Sequence, residues 1–311
     1  MINIKPNVYV IVGPTASGKS RLAIELAKNI NGEIISADSM QIYREMNIGT
    51  AKVTEEEMQG IKHYMIDIIS PNERYSVSNY KKQAEQAIEE ILKKGKTPII
   101  AGGTGLYVDS LIYGIEFQDE EIDTKYREDL NKIAEEQGLK ELYEQAKKID
   151  PEAMLKISEN DQKRIIRVLE IYHKTGKTKT EIEKESRKNG VKYNYNVFAI
   201  SLDREKLYER IEKRVDKMIE EGLIEEVKNI LKKYSEFPTA MQGLGYKEVK
   251  QYFDKELTKE EMIEKIKQET RRYAKRQLTW FRKNKETIWL DAKLGTEKNM
   301  QKILLMVSLN K

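Results

Sequence analysis

The segment GPTASGKS, residues 13–20, constrains the fold of this chain more than any other part of the sequence. It fits the phosphate-loop pattern G-x-x-x-x-G-K-[ST] at every position, follows the apolar run VYVIV and precedes an amphipathic helical pattern. This context predicts a buried strand, a loop whose amides bind phosphate, and a helix whose N-terminus favours an anion. We expect a phosphate or diphosphate group to be bound by Gly13, Pro14, Thr15, Ala16, Ser17, Gly18, Lys19 and Ser20.

Two side chains of this loop carry its chemistry. The Lys19 ammonium is expected to contact the terminal phosphate, and the Ser20 hydroxyl to coordinate Mg²⁺. A glycine turn that matches the pattern by chance is the alternative. The loop alone does not fix the reaction, because kinases, nucleoside triphosphatases and transferases with a phosphate leaving group all use it.

Short, largely β-branched runs predict strands at 8–12, 34–36, 63–69, 98–101 and 197–202, with a sixth candidate at 287–290. Helical patterns lie between them, for example at 19–29 and 79–94. Strands that alternate with helices are typical of a parallel, doubly wound sheet. The sequence therefore predicts an α/β fold in which a parallel sheet carries the phosphate loop.

The pattern changes between residues 117 and 196, where strand-like runs are absent and amphipathic helices are separated by Gly138, Pro151 and Gly176. We expect this segment to be an all-helical domain inserted into the α/β core. The core would consist of residues 1–116 and 197–311, with consecutive helices between 204 and 285.

Composition excludes several classes of site. The 311 residues include no cysteine, so disulfides, cysteine-ligated zinc and thiol catalysis are excluded. The net charge of +4 is too small to indicate a nucleic-acid partner by itself. There is no apolar run long enough for a membrane helix and no signal-peptide pattern at residue 1, so we expect a soluble, cytoplasmic protein without a membrane partner.

Two further segments place polar residues at the ends of predicted strands. EIISADSMQIY, residues 33–43, presents Asp38, Ser39 and Gln41, and Asp38 could accept a proton or hydrogen bond from a nucleophile. PIIAGGTGLY, residues 98–107, presents Thr104 after two glycines. Ligands bind beyond the carboxyl ends of parallel strands, so both segments are candidates for the same cleft as the phosphate loop. The alternatives are a turn or helix cap at 38–39 and a tight turn at 102–104.

Two cationic segments are candidates for nucleic-acid binding. In RRYAKRQLTWFRKNK, residues 271–285, none is acidic, and one helical face carries Arg272, Lys275, Arg276, Thr279 and Lys283, opposite Ala274, Leu278 and Phe281. The second lies in the insertion, where NDQKRIIRVLE carries Lys163, Arg164 and Arg167 at helical spacing and Arg127 lies nearer the start. The alternatives are a solvated helix face and ordinary ion pairs.

In their order along the chain, these segments resemble bacterial tRNA dimethylallyltransferases, also called tRNA isopentenyltransferases. The resemblance runs from residue 13 to residue 282, and its motifs are GPTASGKS, ISADSMQIYREMNIGTAK, GGTGLY, NDQKRIIRVLE, GYKE and AKRQLTWFR. It implies transfer of a dimethylallyl group from dimethylallyl diphosphate to N6 of an adenosine. That adenosine lies just 3′ of the anticodon in tRNAs that read codons beginning with U.

The resemblance also implies roles for single residues. Catalytic roles fall to Thr15, Lys19, Asp38 and Thr104, Asp38 binds the reacting amine, and Mg²⁺ binds with the diphosphate at Ser20, where many members have threonine. A weaker candidate for a further cation at the diphosphate is Arg214. The resemblance further implies a phosphate-loop core like that of nucleoside kinases and an inserted helical domain that binds the anticodon stem-loop. We expect a monomer. Together with the cationic segments, the resemblance predicts tRNA contacts by Asp38, Ser39, Met40, Gln41, Thr104, Arg127, Lys163, Arg164, Ile165, Ile166, Arg167, Arg272 and Arg276.

Three other functions remain open on sequence grounds. A small-molecule or nucleotide kinase would use ATP at the same loop, but that hypothesis does not explain the basic helix. An enzyme that prenylates free adenine nucleotides would share the loop and Asp38. An RNA-binding protein with a vestigial loop is disfavoured because Lys19, Ser20 and Asp38 are all present.

Overall fold

The computed structural model describes residues 5–117, 123–188 and 190–309. Residues 118–122 and 189 of the predicted insertion, and 1–4 and 310–311 of the predicted core, lie outside the described residues. The described strands form one six-stranded sheet in the order β3-β2-β4-β1-β5-β6. Every neighbouring pair is parallel, which confirms the predicted α/β fold class. The strands are β1 Asn7–Val12, β2 Gly32–Ala37, β3 His63–Tyr64, β4 Thr97–Gly102, β5 Asn194–Ser201 and β6 Ile288–Asp291.

One predicted strand is wrong in extent. The apolar run at 63–69 predicts a strand throughout, but β3 ends at Tyr64. Met65 and Asp67 have φ angles of 64° and 54°, so the backbone leaves the extended conformation directly after the strand. Ile69 then forms an isolated parallel bridge with Tyr43. The run is therefore apolar because some of its residues, such as Met65 and Ile69, are buried, and not because it is a strand throughout.

The α-helices of the described residues lie between the strands and after them along the chain. They are α1 Lys19–Asn29, α2 Glu55–Met58, α3 Val77–Lys93, α4 Gly105–Ile112, α5 Thr124–Gln137, α6 Leu139–Ile149, α7 Pro151–Met154, α8 Gln162–Thr175, α9 Lys179–Lys188, α10 Arg204–Glu220, α11 Leu223–Lys233, α12 Tyr246–Phe253, α13 Lys259–Phe281 and α14 Gly295–Leu309. None of the helices within the described ranges is long and apolar enough to cross a membrane.

The chain forms two compact units, one of residues 1–112 and 192–311, the other of residues 113–191. In the first unit both faces of β1 are buried, because side chains that alternate along the strand reach two separate cores. Val8, Val10 and Val12 pack into a core with residues of α3 and α4. Tyr9 and Ile11 pack into another with residues of α1 and α14. A third core lies among α10, α11, α12 and α13.

The second unit contains α5 to α9 and has its own core, in which Leu142, Ala146 and Ile165 are fully buried. Its sequence breaks fall at helix ends. Gly138 lies between α5 and α6, and Gly176 follows α8 with a left-handed φ of 66°. Pro151 begins α7, where the carboxylate of Asp150 accepts a hydrogen bond from the Ala153 amide.

Candidate functional site

Three loops that are distant in sequence begin side by side at one edge of the sheet. Val12 is in register with Gly102, and Gly102 is in register with Ala37. The residues that follow are Gly13, Gly103 and Asp38. Neighbouring strands lie about 4.8 Å apart, so the first and last of these loops start about 10 Å from each other. The sheet thus brings the predicted phosphate loop, the Asp38 segment and the Thr104 segment together, as the sequence predicts.

The phosphate loop connects β1 directly to the N-terminus of α1. Gly18 is the residue before the helix and has a left-handed φ of 93°, a conformation that favours glycine. The Ser17 amide donates a hydrogen bond to the Pro14 carbonyl oxygen at 3.3 Å. The buried Ser17 Oγ has no hydrogen-bond partner among the described residues. A polar atom left unpaired beside a helix N-terminus fits a loop that binds an anion.

Lys19 is the first residue of α1, and its ammonium lies near the carbonyl oxygen of Pro14, at 3.4 Å. Burial and, to a lesser extent, the charge of Arg214 together lower the pKa of this ammonium to about 8. The charge of Asp38 acts in the opposite direction. A bound anion would compensate the buried positive charge, so this lysine is suited to a phosphate ligand.

A cavity of about 370 Å³ opens beside the loop within the first unit. One part of its wall is polar and includes Thr15, Lys19, Ser20, Asp38 and Arg214. Another part is apolar and includes Met40, Val215, Met218, Leu244 and Ile266. The cavity therefore suits a ligand with a charged head and an apolar body.

Asp38 follows β2 and does two things at once. Its Oδ1 accepts hydrogen bonds from the amides of Met40, at 2.9 Å, and Gln41, at 3.4 Å. This is the turn-stabilising role that the sequence left open as an alternative. The residue also lines the cavity, close enough for its charge to act on Lys19 and Arg214. The turn at residues 38–41 therefore holds the Asp38 carboxylate in the cavity wall.

Arg214 lies on α10 and lines the cavity, with Nη2 directed to the Thr50 carbonyl oxygen at 3.4 Å. Burial lowers the pKa of this guanidinium, and the charges of Asp38 and Glu57 oppose the change. Arginine remains charged despite such a shift. The cavity therefore contains a second cation beside Lys19.

Thr104 contacts the Asp38 segment through Ser39. Its Oγ1 accepts a hydrogen bond from the Ser39 amide at 2.9 Å and donates one to the Ser39 hydroxyl at 3.2 Å. The cavity wall includes Ser39, Met40 and Gln41 but not Thr104. Gln41 donates from Nε2 to the Ala51 carbonyl oxygen at 3.3 Å. Thr104 thus supports the segment that forms the wall.

Sequence reasoning missed two residues of α13 at this site. Gln277 accepts a hydrogen bond from the Thr15 amide and donates one to the Gly103 carbonyl oxygen, both at 2.9 Å. Tyr273 also lines the cavity, where burial and then the charge of Asp38 raise its pKa to about 12. The available signal was a glutamine between Ala274 and Phe281, on the face that the sequence predicts to be buried.

The cationic residues of α13 lie where the helical pattern places them. Arg272, Lys275 and Arg276 are exposed, and Ala274 and Phe281 are buried. Arg276 also reaches the cavity wall. An ion pair joins Arg272 to Glu269, so part of this surface is neutralised within the helix.

In the second unit, α8 exposes Lys163, Arg164 and Arg167. The ion pairs left open as an alternative are present: Arg164 pairs with Asp161 at 3.2 Å, and Arg167 with Glu170 at 3.6 Å. Arg127 pairs with the same glutamate, its Nη2 lying 2.7 Å from Oε2. The predicted tRNA-contact set needs one correction. The side chains of Ile165 and Ile166 are 0% and 5% exposed because they pack into the core of this unit.

Comparisons with known proteins show similarity to one family of transferases over most of the chain. Residues 41–284 match the model of the family described as IPP transferase. The tRNA dimethylallyltransferase of Acetivibrio thermocellus is 53% identical over 286 residues, which cover 92% of this chain and 91% of that protein. The tRNA dimethylallyltransferase of Halothermothrix orenii is 48% identical over 302 residues, 96% of this chain and 92% of that protein.

Solved structures give the same result. The tRNA isopentenylpyrophosphate transferase of Bacillus halodurans has a TM-score of 0.74 and 40% identity, and the match covers 98% of this chain and 97% of that one. A eukaryotic dimethylallyltransferase acting on tRNA has a TM-score of 0.80 and 33% identity, with 98% of this chain and 79% of that one covered.

The pKa of Lys19 predicts how anion binding depends on pH. Its value of about 8 means that the side chain loses its charge as the pH rises through 8. We expect the affinity for inorganic diphosphate, measured by calorimetry, to fall about fivefold between pH 8 and pH 9, because the charged fraction of Lys19 falls from about one half to about one tenth. Lys19→Arg is the control, because arginine keeps its charge and diphosphate ionisation affects both proteins equally. Equal pH dependence of the two proteins would contradict the prediction.

Proposed function

This chain belongs to the IPP transferase family, and we propose that it transfers a dimethylallyl group from dimethylallyl diphosphate to N6 of an adenosine in tRNA. The acceptor is the adenosine 3′-adjacent to the anticodon in tRNAs that read codons beginning with U, and diphosphate is released. The observation that carries this proposal is a single cavity whose wall combines a phosphate loop, a carboxylate and an apolar surface. The apolar part of the wall suits a prenyl chain.

The phosphate loop binds the diphosphate of the prenyl donor. Negative charge grows on this diphosphate as the bond from its oxygen to the prenyl C1 breaks. The loop amides, the Lys19 ammonium and the Arg214 guanidinium stabilise that charge. The Thr15 hydroxyl is assigned to the same leaving group because Thr15 lines the polar part of the wall.

The donor set fits Mg²⁺. Ser20 offers a hydroxyl at the start of α1 and lines the cavity. Among the described residues there is no cluster of three or more His, Cys, Asp or Glu side chains that could hold a metal by itself. Mg²⁺ commonly binds through one or two protein oxygens together with substrate phosphates and water. When bound, it would neutralise part of the charge on the diphosphate.

The apolar wall holds the prenyl group and keeps water from the allylic carbon, where water would compete with the amine. Ile266, Thr270, Tyr273 and Gln277 all belong to this site, spaced by four, three and four residues on α13. That spacing keeps them on one helical face, over a rise of about 16 Å. The polar end of this row contacts the phosphate loop, and the apolar end lies in the core beneath.

Asp38 orients the acceptor. Its Oδ1 is engaged by the turn at Met40 and Gln41, so we assign Oδ2 to the N6 amine of the adenosine. The nitrogen forms a bond to C1, the bond from C1 to the diphosphate oxygen breaks, and the amine proton passes to Asp38. The base must leave its stack to enter the cavity. Thr104 and Ser39 hold the Asp38 segment in place.

The cationic surfaces bind the anticodon stem-loop. On the first unit we assign Arg272 and Arg276 of α13 to tRNA phosphates, and on the second Lys163, Arg164 and Arg167 of α8. Arg127 acts through Glu170, which it shares with Arg167. We further propose that the protein acts as a monomer in the cytoplasm.

The direct test is incubation of the protein with unmodified tRNA, Mg²⁺ and dimethylallyl diphosphate, followed by mass spectrometry of the nucleosides. We expect dimethylallyl adenosine at the position 3′ of the anticodon. Phosphoryl transfer from labelled ATP without prenylation would favour a kinase. Preferential modification of AMP in a competition with tRNA would favour an enzyme of free nucleotides, and tight RNA binding without transfer would favour a binding protein.

Asp38→Asn keeps the oxygen that accepts the Met40 and Gln41 amides and removes the base. We expect the transfer rate to fall about 10³-fold, with the tRNA dissociation constant changed less than about twofold. Single-turnover transfer and filter binding measure the two quantities. Asp254→Asn, an exposed site on the same unit, is the control. Near-normal turnover of the Asp38 variant would remove this residue from the mechanism.

The double variant R164Q/R167Q removes two exposed charges from α8 and keeps a polar, unbranched side chain at each position. We expect weaker tRNA binding, and a slope of log affinity against log salt that is smaller by about 2. The matched control is K147Q/K148Q, with the same change in charge on exposed positions of α6 in the same unit. If both double variants bind tRNA alike across a salt series, α8 has no special role.

A further inference from the structure

Gln277 is a buried polar residue whose side chain joins two loops of the site. It is 5% exposed and lies on the buried face of α13. Its Oε1 accepts from the Thr15 amide of the phosphate loop, and its Nε2 donates to the carbonyl oxygen of Gly103, each at 2.9 Å. One side-chain amide therefore links the phosphate loop, the segment that carries Thr104, and the helix that carries the cationic surface.

Both halves of this amide are required. The Thr15 amide can only donate and the Gly103 carbonyl can only accept, so the orientation of the Gln277 amide is fixed. The close approach depends on glycine, because a Cβ at Gly103 would lie 2.2 Å from Nε2 of Gln277. An apolar residue here would leave a buried backbone donor without its partner.

The linkage continues to the carboxylate. Gly103 precedes Thr104, whose amide donates to the Ala37 carbonyl oxygen at 3.0 Å and whose Oγ1 accepts from the Ser39 amide. Ala37 and Ser39 flank Asp38 in the chain. An unbroken series of contacts thus runs from Thr15, through Gln277 and Thr104, to the segment that holds Asp38.

We propose that Gln277 is a positioning residue that sets the separation between the phosphate loop and the Asp38 side of the cavity, and hence between prenyl donor and acceptor amine. This inference rests on the proposed function. Small displacements of reacting groups can cost about 100-fold in rate, because the two substrates must be held in contact and aligned. The effect falls on turnover, whereas the exposed tRNA-binding side chains remain in place.

The test compares Q277E and Q277M with the unmodified protein across a pH range. Ionised, the carboxylate of Q277E accepts from the Thr15 amide but repels the Gly103 carbonyl; protonated, it restores donor and acceptor together. We therefore expect the ratio of kcat, Q277E over wild type, to rise about tenfold from about pH 8 to about pH 5.5. Q277M cannot form either bond, so its ratio stays low, about 100-fold down, at every pH.

Other charged or ionisable groups line this cavity, and they are the same residues in every protein compared. They are Lys19, Asp38, Arg214, Tyr273 and Arg276. Q268E is the matched control, because it introduces the same charge at an exposed position of α13. The kcat ratio of Q268E to wild type should stay within about twofold of 1 at every pH.

Two outcomes would overturn the proposal. One is Q277E activity within about twofold of wild type at every pH. The other is a loss in Q277E that is independent of pH and accompanied by a lowered Tm, because that would assign Gln277 to stability alone. A kcat ratio of Q277E to wild type that rises as the pH falls, with unchanged tRNA affinity, supports the proposal.

Binding of inorganic diphosphate with Mg²⁺, measured by calorimetry on the same proteins, separates this inference from the proposed function. Thr15 belongs to the phosphate loop, so the affinity ratio of Q277E to wild type should also rise as the pH falls. If wild type binds diphosphate but does not prenylate tRNA, the proposed function fails. The ratio of diphosphate affinities, Q277E over wild type, then tests the role of Gln277. A ratio that rises as the pH falls supports a role of Gln277 in holding the phosphate loop, and a ratio that does not change with pH overturns this role.

Discussion

Parallel pairing of β2, β4 and β1 is the constraint on which the site depends. Val12, Gly102 and Ala37 are aligned across the sheet, so the three following loops leave it at the same level. In an antiparallel arrangement alternate loops would lie at opposite edges. The phosphate loop, Asp38 and Thr104 are therefore brought together by backbone hydrogen bonds, before any side chain of the site interacts. Side-chain hydrogen bonds then connect loops that the sheet already holds side by side.

The charges that line the cavity favour an anionic ligand. Lys19 and Arg214 both have lowered pKa values, first because they are buried, and the opposing charges are that of Asp38 on both and that of Glu57 on Arg214. Two partly buried, desolvated cations beside a helix N-terminus repel each other, and a multivalent anion offsets this repulsion. A diphosphate that leaves with increasing charge interacts with such a site more strongly as the reaction proceeds. The electrostatics of the cavity therefore suit a diphosphate leaving group.

Much of this architecture can be read from the sequence, because local signals and tertiary structure agree there. The phosphate-loop motif places α1 at Lys19, and the short apolar runs predict the sheet. The run at 63–69 misleads because burial alone produces an apolar pattern, whatever the backbone geometry. Ile165 and Ile166 mislead for a related reason: a basic motif on an amphipathic helix includes the residues of its buried face. Gln277 has no local signal beyond its place on an apolar face, since its partners lie far away in sequence.

The glycines of the segment GGTG do more than turn the chain. A Cβ at Gly103 would collide with Gln277, and one at Gly105 would lie 2.4 Å from the Trp280 ring, whose Nε1 donates to Asp109. Positions 103 and 277, and positions 105 and 280, therefore form two steric pairs, each of a missing side chain and a large one. Among relatives that diverge in sequence, neither member of a pair can change freely while its counterpart stays. The two pairs together fix the position of α13 against the site, so the exposed charges of this helix can vary without moving the cavity.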